Sequence, residues 1–184
     1  MISESIIQGE KVRLRPIQEE DLPLFLRWLN DADVRYWLSL SEAPELTMDN
    51  ERDWYERTRG SDADLVWTIE TEEGTPLGTV GLHGIDQAHG KATLGIFIGE
   101  KERWSGGYGT EAIRQTLRYG FGEMELRRID LQVDEDNARG IRCYEKCGFR
   151  REGLLRAFRL RLGQPVSCYS MSILREEFET QPWR

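Results

Sequence analysis

Residues 94–112 of this 184-residue chain read Leu-Gly-Ile-Phe-Ile-Gly-Glu-Lys-Glu-Arg-Trp-Ser-Gly-Gly-Tyr-Gly-Thr-Glu-Ala, and their order can hold an anion. The apolar run Leu94 to Ile98 reads as a buried strand, and a short polar stretch follows it. Gly106, Gly107 and Gly109 then precede a periodic helix pattern. Glycines let the backbone turn tightly, and the free N–H groups of a first helical turn point at whatever sits there. A second candidate pair lies downstream. Asn137 and Tyr144 are seven residues apart, so a helix would project both from one face about 10 Å apart.

Three phosphate-loop readings compete for the glycine cluster. A nucleoside-triphosphate loop ends in Gly-Lys-Ser/Thr, and Gly109-Thr110-Glu111 has no lysine, which removes it. Gly107-x-Gly109-x-x-Ala112 matches the short dinucleotide fingerprint, with Asp130 lying 21 residues after Gly109. A dinucleotide fold, however, sets its glycines directly after the strand, whereas six residues separate Gly99 from Gly106 here. Asp130 also falls within a strand pattern rather than at its end, and too few βαβ units remain after residue 112.

The elements that must position these residues follow from periodicity and turn signals. Lys11 to Ile17 alternates as a first strand, with Pro16 at its end or edge. Glu19 to Asn30 reads as a helix with Leu22, Phe25, Leu26 and Leu29 on one face. A short helix fits Ala32 to Leu38, a loop Ser39 to Leu46, and Thr47 caps a helix reaching about Arg59. Asp64–Thr71, Pro76–Ile85 and Lys91–Ile98 form an antiparallel meander, its first turn at Glu72-Glu73-Gly74. After the glycines a helix runs to about Phe121. Arg128–Asp134 is a strand, Ala138–Cys147 a helix with Gly148 beyond it, and Phe149–Arg161 with Val166–Leu174 a final strand pair. No repeat or linker interrupts the chain, so a single domain over 1–184 is expected.

Composition bounds the function. No run approaches a membrane span, and the N-terminus lacks the basic-then-apolar pattern of a secretion signal, so the expectation is cytoplasmic. Cys143, Cys147 and Cys168 have no metal spacing and read as reduced packing residues, so no metal is expected. The net charge of −8 argues against nucleic acid. Its distribution is uneven: residues 18–74 carry 16 acidic and 5 basic side chains, residues 137–151 carry 1 and 5. One region suits a cation and the other an anion, unless both are merely solvated faces.

With the glycine loop, Asn137-Ala138-Arg139-Gly140-Ile141-Arg142-Cys143-Tyr144-Glu145-Lys146-Cys147-Gly148-Phe149 resembles the GNAT superfamily of N-acetyltransferases. Its loop reads Gln/Arg-x-x-Gly-x-Gly/Ala, and its later signature is Asn-x-x-Ala-x-x-x-Tyr-x-x-x-Gly-Phe. The order of elements from Lys11 to Leu174 agrees. The likeness is greatest to Rim-type protein N-terminal, spermidine and aminoglycoside N-acetyltransferases. Two positions depart: Trp104 stands where Gln or Arg is usual, and Gly140 where the signature has alanine.

The resemblance implies an α/β (α+β) fold with a mixed, mostly antiparallel, twisted sheet of six to seven strands. About four helices would flank it, and it would splay between Lys91–Ile98 and Arg128–Asp134. The cosubstrate implied is acetyl-CoA, its pyrophosphate on the N–H groups of Ser105, Gly106, Gly107, Tyr108, Gly109 and Thr110. Lys101 and Arg103 have Glu100 and Glu102 as neighbours in sequence, so backbone donors and the helix dipole would do most of the binding. Arg139 and Arg142 are candidates for the outer phosphates, or are exposed helix surface. Phe97 and Ile98 would pair with the pantetheine arm, and Asn137 would be a cofactor ligand, a helix N-cap, or both.

Tyr144 matches the family's general acid, a phenol able to protonate the departing thiolate. For the base, Gln132 stands where some relatives carry a carboxylate, so Asp134 is the first candidate, acting through water, and Glu42 another. His83 and His89 read as satisfied strand and turn residues. The acceptor would meet the early helices, with Tyr36 and Trp37 at its mouth. A primary amine is expected there: a polyamine, an aminoglycoside or a peptide N-terminus. A non-catalytic acyl-CoA sensor or scaffold is the alternative, and the C-terminal strand pair could join two copies by analogy.

Overall fold

The computed structural model describes residues 6–184. Among these residues eight strands form one sheet in the order β1-β2-β3-β4-β5-β6-β8-β7. These are β1 Ile7–Gln8, β2 Val12–Pro16, β3 Leu65–Thr71, β4 Pro76–Asp86, β5 Lys91–Ile98, β6 Arg128–Asp134, β7 Arg150–Arg161 and β8 Gln164–Leu174. Six α-helices accompany them: α1 Leu22–Leu29, α2 Ala32–Trp37, α3 Met48–Arg59, α4 Tyr108–Gly122, α5 Ala138–Lys146 and α6 Arg175–Glu179. The expected fold class holds with one or two strands and two helices more. Against the seven strands and five helices placed from periodicity, the additions are β1 and α6, whose two and five residues carry too little pattern to register.

Every neighbouring pair in the sheet is antiparallel except β5 with β6. That parallel pairing lasts only from Lys91–Arg128 to Thr93–Asp130. Beyond Thr93 the strands part, which leaves the β6-facing side of Leu94–Ile98 without a strand partner. This is the expected splay.

Helices cover both faces of the sheet. β3 is buried at all seven positions because α1 and α3 pack on one side and α4 on the other. α1 buries Leu22, Phe25 and Trp28, with Leu26 and Leu29 only half-buried, so its core face is rotated toward Trp28 from the expected stripe. The indole N–H of Trp28 donates to Glu100 at 2.8 Å, which lets so polar an edge go inside. On the opposite side, Ile113, Leu117 and Phe121 of α4 join Ile129 and Leu131 of β6 and Met171 and Ile173 of β8 in the largest core. Thr47 caps α3 as expected, its hydroxyl accepting from the Asn50 N–H. No helix among the described residues is long and apolar enough to cross a membrane.

Candidate active site

The open edge of β5, the loop after it and the start of α5 enclose a cleft of about 340 Å³. The residues read as cofactor ligands converge there from three separate segments. Phe97 and Ile98, Ser105 and Gly107 to Thr110, and Asn137, Arg139 and Arg142 all line it, together with Tyr144. Gly106 sits behind them, its carbonyl accepting from Lys11 Nζ at 3.5 Å.

Local chemistry explains the loop. Gly107 is the N-cap of α4 with φ of 89°, a left-handed conformation that costs glycine little and other residues much. The first-turn N–H groups of this 15-residue helix therefore begin at the cleft, with the positive end of its dipole. Two charged groups of this loop pair with α1 and α2 and not with their neighbours in sequence. Glu100 turns to Arg27 at 2.6 Å, and Lys101 to Asp31 and Asp33 at 2.8 and 2.7 Å. Arg103 is left to face the cleft beside Tyr108, and Lys146 joins it from α5.

Asn137 caps α5, its Oδ1 accepting from the Gly140 N–H at 2.9 Å. A Cβ at Gly140 would come within 2.9 Å of Asn137 Nδ2, so the alanine of the signature needs that side chain to shift slightly. Tyr144 stands two turns further along, its ring edge-on to Phe149 at 5.9 Å. Burial pushes its phenol well above the ordinary tyrosine value, so it keeps its proton at neutral pH. Cys143 lies beside it, 3.3 Å from the Thr110 hydroxyl, and its hydrogen bond with Cys147 pulls its thiol down.

Other expected residues stand elsewhere. Asp134 is buried, ion-paired to Arg159 and to Arg161 Nη1 at 3.0 Å, and it accepts from Cys168 Sγ at 3.1 Å. It lines neither the cleft nor the neighbouring cavity. Both guanidinium groups meet Oδ2 and the thiol meets Oδ1, so the carboxylate ties the β7–β8 hairpin to the end of β6. Strand neighbours supply all three partners, which local sequence does not reveal. Glu42 accepts from the Gly163 N–H at 2.9 Å and tethers its loop to the same hairpin. Tyr36 and Trp37 pack edge to face under Arg161, whose guanidinium lies 4.2 Å from the Tyr36 centroid. Trp37 reaches the cleft and Tyr36 does not. His83 is held by Asp64 at 3.1 Å and His89 by Asp86 at 2.8 Å, the satisfied state expected of both.

A second cavity, about 670 Å³, opens on the other side of β5. Phe25 and Leu29 of α1, the loop from Leu38 to Leu46, and Asn50, Glu51, Asp53, Trp54 and Arg57 of α3 form much of its wall. Leu38, Ile96 and Phe97 belong to both hollows, so cleft and cavity meet across an apolar junction. Glu51 lies in a polar helix, where the sequence sets it apart from no other solvent-facing acid. Among the described residues no group of His, Cys, Asp and Glu side chains is arranged to hold a metal ion.

Residues 11–150 match the acetyltransferase (GNAT) domain. The chain therefore belongs to the GNAT family: it is an N-acetyltransferase that uses acetyl-CoA. It is 31% identical over 172 residues to spermidine N(1)-acetyltransferase of Escherichia coli, spanning 92% of this chain and 89% of that protein. It is 26% identical over 164 residues to the type 1 aminoglycoside N(6')-acetyltransferase of Klebsiella pneumoniae, 79% of this chain and 77% of the relative. In fold it is similar to the crystal structure of Vibrio cholerae spermidine N-acetyltransferase in complex with CoA and spermine. The TM-score is 0.86 at 24% identity, covering 94% of this chain and all of the other.

Proposed function

We propose that this enzyme acetylates a small cationic primary amine that enters through the larger cavity and meets acetyl-CoA at the Leu38–Ile96–Phe97 junction. The observation that carries this reading is the junction itself, an apolar opening between a cleft rich in anion-binding groups and a cavity carrying Glu45, Glu51 and Asp53. Relatives named for spermidine and for aminoglycosides agree with a cationic acceptor.

Acetyl-CoA supplies the activated acetyl thioester. The N–H groups at the start of α4, with Arg103, Arg142 and Lys146, suit its phosphates. The side of β5 that β6 leaves open suits its amide-bearing arm along Phe97 and Ile98, whose carbonyl also accepts from Trp104, and Asn137 combines capping with cleft lining. Tyr144, protonated at neutral pH and set in the cleft wall, is the proton donor to the leaving sulfur. Trp37 shapes the mouth of the cleft, while Tyr36 and Glu42 support the loop that roofs the cavity.

The reading takes 1–184 as one catalytic domain acting in the cytoplasm on amines rather than on nucleic acid. It also includes a homodimer through β7, the last strand of the sheet, whose Leu154, Phe158 and Leu160 stand exposed. The test of function has two stages. Coenzyme A should raise the melting temperature and NAD should not. Thiol release should then follow addition of a di- or polyamine. Stabilisation without thiol release from any amine would favour the acyl-CoA sensor instead.

A further inference from the structure

Three carboxylates of the described chain lie deep beneath or between the early helices and the sheet, and two of them are fully engaged. Asp21, 6% exposed, takes both terminal nitrogens of Arg15 and the Thr68 hydroxyl. Glu70, 4% exposed, takes Arg13 and Arg15. Glu51 is buried as deeply, at 4%, yet its Oε2 has no hydrogen-bond partner and no ion pair of the described residues includes it. Burial alone pushes its carboxyl up from the ordinary value. A buried carboxylate left without a cation is costly, and the first turn of α3, where Glu51 sits, offsets that only in part.

Glu51 lines the larger cavity and not the cofactor cleft. The groups sharing its wall are Glu45 from the loop, Asp53 and Arg57 from α3, and His83 from β4, already held by Asp64. Apolar side chains, Phe25, Leu46, Trp54 and Val66 among them, fill the rest. A carboxylate set among apolar walls and outside the lining that cleft and cavity share is complementary to an aliphatic chain that carries a cation.

We propose that Glu51 is the acceptor-binding carboxylate and that it seats a second ammonium of the acceptor, remote from the amine that reacts at the junction. The substrate ammonium is then the cation that the Glu51 carboxylate lacks among the described residues. Glu51 then decides specificity for dications over monoamines of equal length. The proposal rests on the cationic-acceptor reading above.

The test compares an α,ω-diamine with the n-alkylamine of the same chain length, on the wild type and on Glu51→Gln. The diamine KM should rise roughly tenfold or more in the variant, as expected for loss of a charge-assisted contact, with the alkylamine KM within about twofold. Equal effects on both amines, or none on either, overturn the proposal. The melting temperature of Glu51→Gln at pH 7 should not fall, because the substitution removes an uncompensated charge; a clear drop would mean a structural partner and would also overturn it. If neither amine turns over on the wild type, the acetyl-transfer reading for these acceptors fails separately. Stabilisation of the wild type by the diamine, lost in Glu51→Gln, still decides the Glu51 site, and its persistence in the variant sinks it.

Discussion

The guanidinium of Arg139 lies 3.8 Å from the centroid of the Trp104 ring, and the indole N–H of that ring donates to the Ile98 carbonyl at 2.8 Å. One aromatic side chain thus ties the start of α5, the loop before α4 and the end of β5 together across the mouth of the cleft. Arg139 is thereby engaged with the protein itself, and desolvation lowers its tendency to hold a proton below the usual guanidinium value. The aromatic residue at a position where the family usually has Gln or Arg is a fastening of the cleft.

Breaking that fastening should loosen cofactor binding without touching the chemical step. Trp104→Ala is expected to raise the KM for acetyl-CoA about tenfold, the sum of a cation–π contact and a hydrogen bond, with kcat little changed. Trp104→Phe keeps a ring for Arg139 but loses the bond to Ile98, so it should fall between the two. Steady-state kinetics at saturating amine decides; a fall in kcat alone would refute the assignment.

Tyr144→Phe removes the proposed proton donor and little else, since the ring retains its packing on Phe149. A kcat lower by about 10²- to 10⁴-fold is expected, with coenzyme A affinity unchanged by calorimetry. The phenol is held above its usual range, so no loss of rate from its ionisation should appear below about pH 10. An unimpaired variant would exclude the role.

Stability should depend strongly on Arg15. It bridges Asp21 at 2.6 Å and Glu70 at 2.5 Å, two carboxylates almost wholly buried. Arg15→Met strands Asp21 without its cation, at an expected cost of about 3–5 kcal/mol. In thermal unfolding that corresponds to a melting temperature lower by about 10 °C. A drop under about 2 °C would show that the network is dispensable.

Glu152 provides a pH test. The two-pronged hydrogen bond from Arg128 holds its carboxyl down to about 2, against the smaller opposing effect of burial. The folded value lies below the unfolded one of about 4.3, so this stabilisation is complete above that value and fades as pH falls toward 2. The pair is partly exposed, 30% and 42%, so solvent screening keeps its worth small. Glu152→Gln should melt about 1–4 °C lower than the wild type at pH 7, the gap narrowing steadily below about pH 4. A gap independent of pH would mean that the charge contributes nothing.

Strand and helix placement was largely legible from the chain. Lys91–Ile98 and Arg128–Asp134 have the bounds expected, and Thr47 caps α3 as its side chain suggests. These features rest on interactions within a few residues: alternation, capping and glycine turns. The glycine turn before α4 and the Asn137–Tyr144 face were legible for the same reason, because a turn and a helix set their geometry locally.

Pairings between distant segments were not legible. Asp134 looked like a free strand-end acid until β7 and β8 brought Arg159, Arg161 and Cys168 to it. Lys101 and Arg103 looked offset by Glu100 and Glu102 until Arg27 of α1 took Glu100 and Asp31 and Asp33 took Lys101. Trp104 had no account until Ile98 and Arg139 met it, and Glu51 differed in nothing from its acidic neighbours until α3 packed down. Ion pairs, stacking and burial depend on which segments meet, and that is decided when the sheet closes its core. The amino-acid sequence by itself determined the family, the elements and the glycine turn before α4; only the tertiary structure decided which charges meet partners and that Glu51 is buried with none for its Oε2.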